Sequence, residues 1–595
     1  MMKKFLLVVC GSFVGVTLAL IVFVVSAIVM SIAMVGMGSS VSGGRASVEK
    51  NSILHIDLCD EITERGGSGE MDMLTMVRGS GIPSSSSLAT LRAAIKEAKT
   101  NDKIRGIYLE CNGSSASPAT REALRKALAD FKQSGKFIYA YGYEGISQGD
   151  YYLATVADSI FLNPVGMVDL HGMASAIPYF KKLLDNVGVE MQVIRVGTFK
   201  SAVEPYMLEQ MSEANRLQTQ VYMGNIWREM TDSMAAGRKI STATLNQLVN
   251  DSLVMTMEAA DLQKNHIVDR LAYADEMEDA LKRATDLKED DDLRLVTPGD
   301  LAPDVEESVS GDHIAVLFAE GEIDGGSSDD VDTEKMSEEI RRLMKDDNVK
   351  GMVLRVNSPG GSAFGSEQMW KALEDFKESG KPLAVSMGDL AASGGYYISA
   401  PGQRIFAERT TITGSIGIFG MIPAYESAIK NKLGVNIETV KTNENADMGV
   451  MGRKLTEPQL AALQRMVNAG YDLFTRRCAE GRHVTQDSIK QIAEGRVWDA
   501  VSAHERGLVD EFGGIDEAVK WVAQQAGLKE GKYKTQNYPA LDEDWRSLLS
   551  MMMQQQYEAK LRGEMGILYE YHQALMKILG RDHLLCLMEP VDLSL

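Results

Sequence analysis

The sequence has little of what several common classes of protein need. Only five of its 595 residues are cysteines, scattered and odd in number, so neither a disulfide framework nor a zinc site is expected. No GxxxxGK[ST] motif is present, which argues against an ATP-driven step. A nucleic-acid-binding surface needs clustered Lys and Arg side chains that contact the phosphates. The net charge of -21 argues against such a surface. We therefore expect no metal, no cofactor and no nucleic-acid partner.

One long apolar run lies at the start of the chain. Residues 5–38 contain no charged side chain and follow Lys3 and Lys4. The run exceeds the roughly 20 residues that cross a bilayer as a helix. A cleaved signal peptide has an apolar core of only about 7–15 residues, so an uncleaved anchor is favoured. By the positive-inside rule the two lysines stay in the cytoplasm, and everything after residue 45 lies outside it.

The rest of the chain is an internal duplication. Residues 102–109 recur as 347–354, and residues 130–136 recur as 375–381. The separation is far beyond the roughly 20–50 residues of solenoid repeats, so duplicated domains are indicated. Within each copy, strand-like and helical patterns alternate, which is typical of an α/β fold with mainly parallel strands.

The boundaries follow from changes in composition. A charged, proline-containing linker at residues 288–312 separates the copies, and apolar residues recur at helical spacing after residue 541. We predict an anchor and junction at 1–45, a first repeat at 46–305, a second repeat at 306–540 and a C-terminal helical extension at 541–595.

A candidate nucleophile lies in the second copy. Ser393 follows a strand-like run and precedes the start of a helix, where unpaired amide groups stabilise a developing oxyanion. The loop at 357–362 contains paired glycines, which let backbone approach a substrate closely. An ordinary turn explains either stretch when it is taken alone. The first copy has Gln148 opposite Ser393 and lacks the paired glycines.

A serine nucleophile needs a base, and residues 314–482 contain no histidine. A Ser-His-Asp triad within the second copy is therefore excluded, and lysine is the other base that accompanies serine. Lys200 follows a strand-like run and has apolar neighbours, surroundings that lower a lysine pKa, although a solvated surface lysine is the plainer explanation. Its counterpart in the second copy is Ala446. Two halves that share one active site would show this complementary loss.

Five motifs together resemble the signal peptide peptidase A (protease IV) family in its long, duplicated, membrane-anchored form. They lie at residues 197–206, 357–362, 391–397, 413–417 and 495–498. The resemblance covers nearly the whole chain. It implies a ClpP/crotonase-like fold for each copy and a serine endopeptidase that cleaves signal-peptide remnants and other hydrophobic peptides at the membrane.

The same resemblance implies residue roles. Ser393 would be the nucleophile, Lys200 the general base and Ser415 a hydrogen-bond partner of the lysine amine. Gly361 and Gly394 would supply the oxyanion N–H groups. The family also implies a homotetramer, held by a single-pass helix in the bacterial inner membrane, with a cytoplasmic N-terminus and a periplasmic catalytic part.

Two other functions stay open at this point. A crotonase-like acyl-CoA enzyme would use the same oxyanion amides but requires no serine, no lysine and no anchor. A non-catalytic membrane scaffold would require none of these residues. The sequence also leaves open the cleavage-site preference, the natural substrates, the subunit number and whether Lys200 meets Ser393 within one chain or between two.

Overall fold

A computed structural model describes residues 48–65, 85–251, 254–303, 309–327, 330–529, 532–540 and 585–588. The apolar run at residues 5–38 lies outside these ranges, as does most of the segment after residue 541. Within the described ranges, no helix combines the length and the apolar character that crossing a membrane requires.

The first half of the chain alternates strands and helices as the sequence pattern predicts. Its strands are β1 (Ser52–Leu58), β2 (Glu61–Thr63), β3 (Ser85–Ser87), β4 (Ile104–Cys111), β5 (Phe137–Gly142), β6 (Gly145–Ile146), β7 (Ser159–Leu162), β8 (Met167–Val168), β9 (Glu190–Arg195), β10 (Arg270–Leu271) and β11 (Leu295–Val296). Its helices are α1 (Leu88–Thr100), α2 (Pro118–Lys132), α3 (Gln148–Ala154), α4 (Lys181–Val187), α5 (Glu204–Met207), α6 (Glu213–Arg238), α7 (Thr242–Asp251), α8 (Ala259–Lys264), α9 (Ala274–Ala284) and α10 (Pro298–Leu301).

The second half repeats the alternation. Its strands are β12 (His313–Glu320), β13 (Val349–Ser358), β14 (Gly360–Ser362), β15 (Leu383–Ala392), β16 (Arg404–Ala407), β17 (Ile412–Gly414), β18 (Phe419–Ala424), β19 (Val497–Asp499), β20 (Glu511–Phe512), β21 (Lys534–Tyr538) and β22 (Leu585–Leu587). Its helices are α11 (Thr333–Lys345), α12 (Ala363–Glu378), α13 (Gly394–Ser399), α14 (Glu426–Leu433), α15 (Glu457–Arg482), α16 (Gln486–Ile492), α17 (Ala500–Glu505) and α18 (Ile515–Gln525).

Each half builds one large sheet with an equivalent strand order. The first sheet runs β10-β7-β5-β4-β1-β11, and all of its pairs are parallel. The second has the equivalent order β20-β16-β15-β13-β12-β21. In it β15 also pairs with β17, which pairs antiparallel with β19. Parallel strands need crossover connections, which the intervening helices supply. The predicted α/β architecture is thus confirmed.

Two segments differ from the sequence-based expectation. The middle of the expected linker at 288–312 belongs to the first half, because β11 pairs with β1 and α10 packs against α1. Of the expected C-terminal helical extension at 541–595, the structure describes only residues 585–588, and 585–587 form the strand β22; the stretch with helical spacing lies outside the described residues. In both segments a pairing partner far away in the sequence determines the structure, and local composition gives no sign of that partner.

A third sheet joins the two halves. Its order is β14-β22-β18-β9, and β9 of the first half pairs antiparallel with β18 of the second over six residue pairs, from Phe419↔Arg195 to Ala424↔Glu190. Because the strand that leads to Lys200 is thereby fixed to the second half, this pairing sets the geometry of the site.

Buried polar contacts hold the halves together elsewhere. Arg355 and Glu64 form an ion pair in which both side chains are almost fully buried, and the carboxylate of Asp389 accepts hydrogen bonds of 2.8 Å from both the amide and the hydroxyl of Thr120. Breaking a buried pair by removing one partner leaves an uncompensated charge. The relative position of the two halves is therefore strongly specified.

Candidate active site

Ser393 lies at a sharp junction between β15 and α13. Its backbone has φ 57° and ψ -114°, a conformation that non-glycine residues seldom adopt and that costs on the order of 1–3 kcal/mol. Its amide donates to the carbonyl of Gly414 at 2.8 Å, and its carbonyl accepts from the amide of Tyr397 at 2.9 Å. The side chain is fully buried. The predicted strand-to-helix junction is therefore present, and it holds the hydroxyl in one place.

Lys200 reaches the same place from the loop between β9 and α5. Its Nζ donates to Ser393 Oγ at 2.8 Å and to the carbonyl oxygen and Oγ of Ser415, both at 3.0 Å. Lys200 is only 1% exposed, and this burial lowers its pKa to about 7. A large fraction of the amine is therefore neutral near pH 7, as a general base requires.

The space for Lys200 depends on one glycine. Gly495 has φ 76°, and a Cβ added there would lie 2.6 Å from the Cβ of Lys200. Beside it, the amide of Phe199 donates to the carbonyl of Glu494 at 3.0 Å. The loop that carries the lysine is therefore packed backbone to backbone against residues 494–495, and no larger residue fits there without moving it.

A glutamine that the sequence analysis missed ties this loop to the second half. Gln218, on α6, is 2% exposed. Its Nε2 donates to the carbonyl of Phe199 at 3.2 Å and to Ser201 Oγ at 3.1 Å, while its Oε1 accepts from the amide of Val497 at 3.1 Å. The side chain thus connects both neighbours of Lys200 to β19. Nothing local distinguishes this glutamine from others on polar helices.

Arg496 supports the site from the other side. Its carbonyl accepts a hydrogen bond of 2.7 Å from the amide of Ser415. Its guanidinium lies 4.7 Å from the ring centre of Phe199 and 4.2 Å from that of Trp498, within the range of cation–π attraction. The motif at 495–498 therefore holds the backbone of Ser415, which contacts the lysine amine, and packs against the ring of Phe199, the residue before Lys200.

The two glycines that the family resemblance singles out are neighbours. A Cβ added at Gly394 would lie 2.7 Å from Ser366 Oγ and 3.1 Å from the amide nitrogen of Gly361. A Cβ at Gly361 would collide with the carbonyl oxygen of Ile323. No side chain fits at either position, so the backbones of both residues lie close together next to Ser393.

The corresponding corner of the first half is closed by hydrogen bonds. The Oε1 of Gln148 accepts from the amides of His171 and Gly172 at 3.0 and 2.8 Å, and its Nε2 donates to the carbonyl of Gly172 at 3.0 Å. Nearby, Arg121 and Asp150 form a fully buried ion pair at 3.2 Å. The polar groups of this corner are engaged in structural bonds, which fits the absence of a nucleophile there.

Comparison with known proteins gives one family for both halves. Residues 130–289 and 375–529 each match peptidase family S49. The chain is 38% identical over 463 residues to Protease 4 of Salmonella typhi, which covers 75% of this chain and 73% of that protein. It is 29% identical over 507 residues to the chloroplastic serine protease SPPA of Arabidopsis thaliana, with coverage of 82% and 71%. It is 34% identical over 230 residues to a putative signal peptide peptidase SppA of Enterococcus faecium, with coverage of 38% and 67%.

These matches decide among the three functions that the sequence left open. A peptidase family matches once in each half, and the relatives that span about three quarters of the chain are named as proteases. The acyl-CoA enzyme and the membrane scaffold find no support in them. The chain belongs to peptidase family S49 and is a serine peptidase.

Proposed function

We propose that Ser393 and Lys200 of one chain form a catalytic dyad for peptide-bond hydrolysis. The observation that carries the proposal is a buried amine, with a pKa of about 7, that lies 2.8 Å from Ser393 Oγ. The neutral amine accepts the Ser393 proton as Oγ attacks the peptide carbonyl carbon. The resulting ammonium gives that proton to the departing amine, and water then releases the acyl group by the same route.

The remaining residues hold the amine and stabilise the negative charge. Ser415 offers two oxygens to the Lys200 amine, which aims Nζ at Ser393 Oγ. The amides of Gly361 and Gly394 lie beside the nucleophile and would donate to the oxyanion. Removal of one such donor typically costs about a hundred- to a thousandfold in kcat.

We further propose that the substrates are extended hydrophobic peptides, including signal-peptide remnants. The support is the apolar run at residues 5–38, which would hold the chain at a membrane, and the similarity to the putative signal peptide peptidase SppA of Enterococcus faecium.

A bacterial inner-membrane anchor with a periplasmic catalytic part predicts that protease added to spheroplasts degrades the chain beyond residue 45. Complete protection would contradict this topology. The homotetramer stays a prediction from the resemblance.

A phosphonylating serine probe tests the dyad. We expect labelling of a single residue, Ser393, at a rate that rises with pH through about 7. Below that pKa the lysine carries its proton and cannot accept the one from Ser393; above it the amine is free to do so. The measurement is the labelling rate from about pH 5 to about pH 9, with the modified residue identified by peptide mass spectrometry.

Two lysine variants test whether Lys200 acts as the base or whether the loss of any buried lysine charge has the same effect. Lys200→Met should abolish labelling. Lys381→Met is the matched control, because the Lys381 amine also donates to backbone carbonyls, those of Leu343 and Asp346, and it should keep the wild-type pH profile. A rate that does not change with pH would overturn Lys200 as the base, and labelling of another serine would overturn Ser393 as the nucleophile.

A further inference from the structure

The strand that carries the proposed nucleophile contains a bulge. β15 and β13 pair in parallel up to Val356↔Met387, but the next pair is Ser358↔Ala391, so β15 advances four residues while β13 advances two. Residues 388–390 therefore lie outside the regular ladder, and we call them the bulge. A bulge changes the direction of the residues that follow it, and bulges are frequent beside active sites. Ser393 is the third residue after the bulge.

β15 also exchanges its neighbour on the other side at the bulge. Its residues up to Met387 pair with β16, whereas its residues from Leu390 onward pair with β17. The amide of Ser393 then donates to the carbonyl of Gly414, the last residue of β17. The path of the chain into Ser393 is therefore set at the bulge, where the pairing on both sides of the strand is interrupted.

Residues of the second half hold the two ends of the bulge. The hydroxyl of Thr411 donates to the carbonyl of Gly388 at 2.7 Å, and the amide of Leu390 donates to Asn357 Oδ1 at 3.0 Å. A Cβ added at Gly388 would lie 3.0 Å from the Cβ of Asn357, so the bulge is also closely packed. Both hydrogen bonds use the backbone, and the one charged side chain of the bulge, that of Asp389, extends to the first half.

The carboxylate of Asp389 binds the start of α2 in the first half. It accepts one hydrogen bond from the amide of Thr120 and a second from the hydroxyl of the same residue, both at 2.8 Å. Thr120 lies in the first turn of α2, where the backbone amides favour a carboxylate. Hydrogen bonds to a charged acceptor are roughly twice as strong as neutral ones. The first half thus holds the bulge at its middle residue.

A second contact of the same kind joins the two halves and runs in the opposite direction. The carboxylate of Glu122, also on α2, accepts from the amide and the hydroxyl of Thr410 at 3.0 and 2.9 Å. The two threonines are alike in burial, with Thr120 3% and Thr410 2% exposed. Only the contact of Thr120 ends on the strand that leads to Ser393. The two contacts therefore form a matched pair for experiment.

We propose that Asp389 is a positioning residue for the nucleophile: its bonds to Thr120 hold the bulge where Ser393 Oγ meets the proposed base. The proposal rests on the proposed function of Ser393 and Lys200. The first half then serves the reaction twice, since it supplies the amine and, through α2, also sets the position of the serine. Loss of the contact lets the residues after the bulge shift, and a shift of about 1 Å in a catalytic group costs on the order of a hundredfold in rate.

Two variants of Asp389 test the proposal. Asp389→Ala should lower kcat for a fluorogenic apolar peptide by about a hundredfold and leave KM within about threefold, because the change moves the reacting serine. Asp389→Asn keeps an oxygen that accepts from Thr120, so its kcat should stay within about fivefold of wild type. In both variants Arg355 still donates to the carbonyl of Met387 at 2.7 Å and anchors the strand before the bulge. A wild-type kcat in Asp389→Ala, or no recovery in Asp389→Asn, would overturn the proposal.

The two threonines supply the matched control, and this test does not require the Asp389→Ala chain to fold. Thr120→Val and Thr410→Val each remove one hydroxyl bond to a carboxylate between the halves and keep the amide bond, so the urea midpoint should fall by a similar amount. Only Thr120→Val should lower kcat, by about tenfold. An equal kcat in the two variants would show that the bulge contact does not set the position of the serine.

The phosphonylating serine probe separates this proposal from the dyad itself. If both proposals hold, the probe labels Ser393 about tenfold more slowly in Thr120→Val than in wild type. The rate in both proteins still rises with pH through about 7, because the burial of Lys200 is unchanged. If Ser393 is not the nucleophile, the probe fails to label it in wild type as well. Equal labelling rates of Ser393 in wild type, Thr120→Val and Asp389→Ala would support the dyad and overturn the positioning role.

Discussion

Ser393→Ala and Lys200→Met should each lower kcat by at least about ten-thousandfold, and the double variant should be hardly slower than either single one. The reason is that both groups act in one proton transfer across 2.8 Å, so the loss of either ends the step. The measurement is kcat for a fluorogenic apolar peptide in the three variants. A Lys200→Met enzyme that keeps more than about a tenth of wild-type kcat, a barrier change under about 1.4 kcal/mol, would make the lysine a supporting residue.

Stability shows whether that loss comes from chemistry or from unfolding. The pKa of Lys200 falls from 10.5 to about 7 on folding, so the unfolded chain binds this proton more tightly and the folded chain is penalised at acid pH. The penalty is full below about pH 7, at roughly 4–5 kcal/mol, shrinks up to about pH 10.5 and then vanishes. Lys200→Met should therefore have a higher urea midpoint than wild type near pH 6. A clearly lower midpoint would contradict a buried amine without a counter-charge.

Gly495→Ala should lower kcat/KM by about a hundredfold or more, because a misplacement of about 1 Å in a catalytic group has that effect. The added methyl group would lie 2.6 Å from the Cβ of Lys200, and the backbone of the lysine loop has to shift to relieve the contact. The expected loss is in kcat, measured with the same peptide, since the amine would no longer meet Ser393 Oγ.

The matched control for that variant is Gly507→Ala. Gly507 has φ 72°, close to the φ 76° of Gly495, but a Cβ there would meet no atom within 4 Å. Both variants bear the same backbone strain, of order 1–2 kcal/mol, so the urea midpoint should fall in both, and further in Gly495→Ala because of its close contact with Lys200. Activity should fall only in Gly495→Ala. Equal activity of the two variants would show that the close packing on Lys200 is not needed for catalysis.

Local sequence pattern was enough for the elements around Ser393. The strand-like run before Ser393 and the helix start after it predicted a strand-to-helix junction, and the structure has β15, Ser393 and α13 in that order. The duplication could likewise be predicted from the sequence, because the two copies share their order of strand-like and helical patterns. The exact limits of the four predicted domains stay predictions.

The candidate base needed more than a local pattern. The lack of histidine at residues 314–482 excluded the usual partner of a serine, and apolar neighbours drew attention to Lys200 among many lysines. Its distance from Ser393 could not be predicted from the sequence, because the two residues are 193 positions apart. The pairing of β9 with β18 and the contacts of Gln218 bring them together.

By itself, the sequence determined the α/β class, the two repeats and the family, and it indicated Ser393 as the candidate nucleophile, since these depend on periodicity and on short motifs within a few residues. Only the tertiary structure decided which amine meets the serine, how far its pKa falls, and that residues 585–587 form a strand beside the dyad. Each of these depends on burial and strand pairing between distant segments, and such pairing leaves no periodic signal in either segment alone.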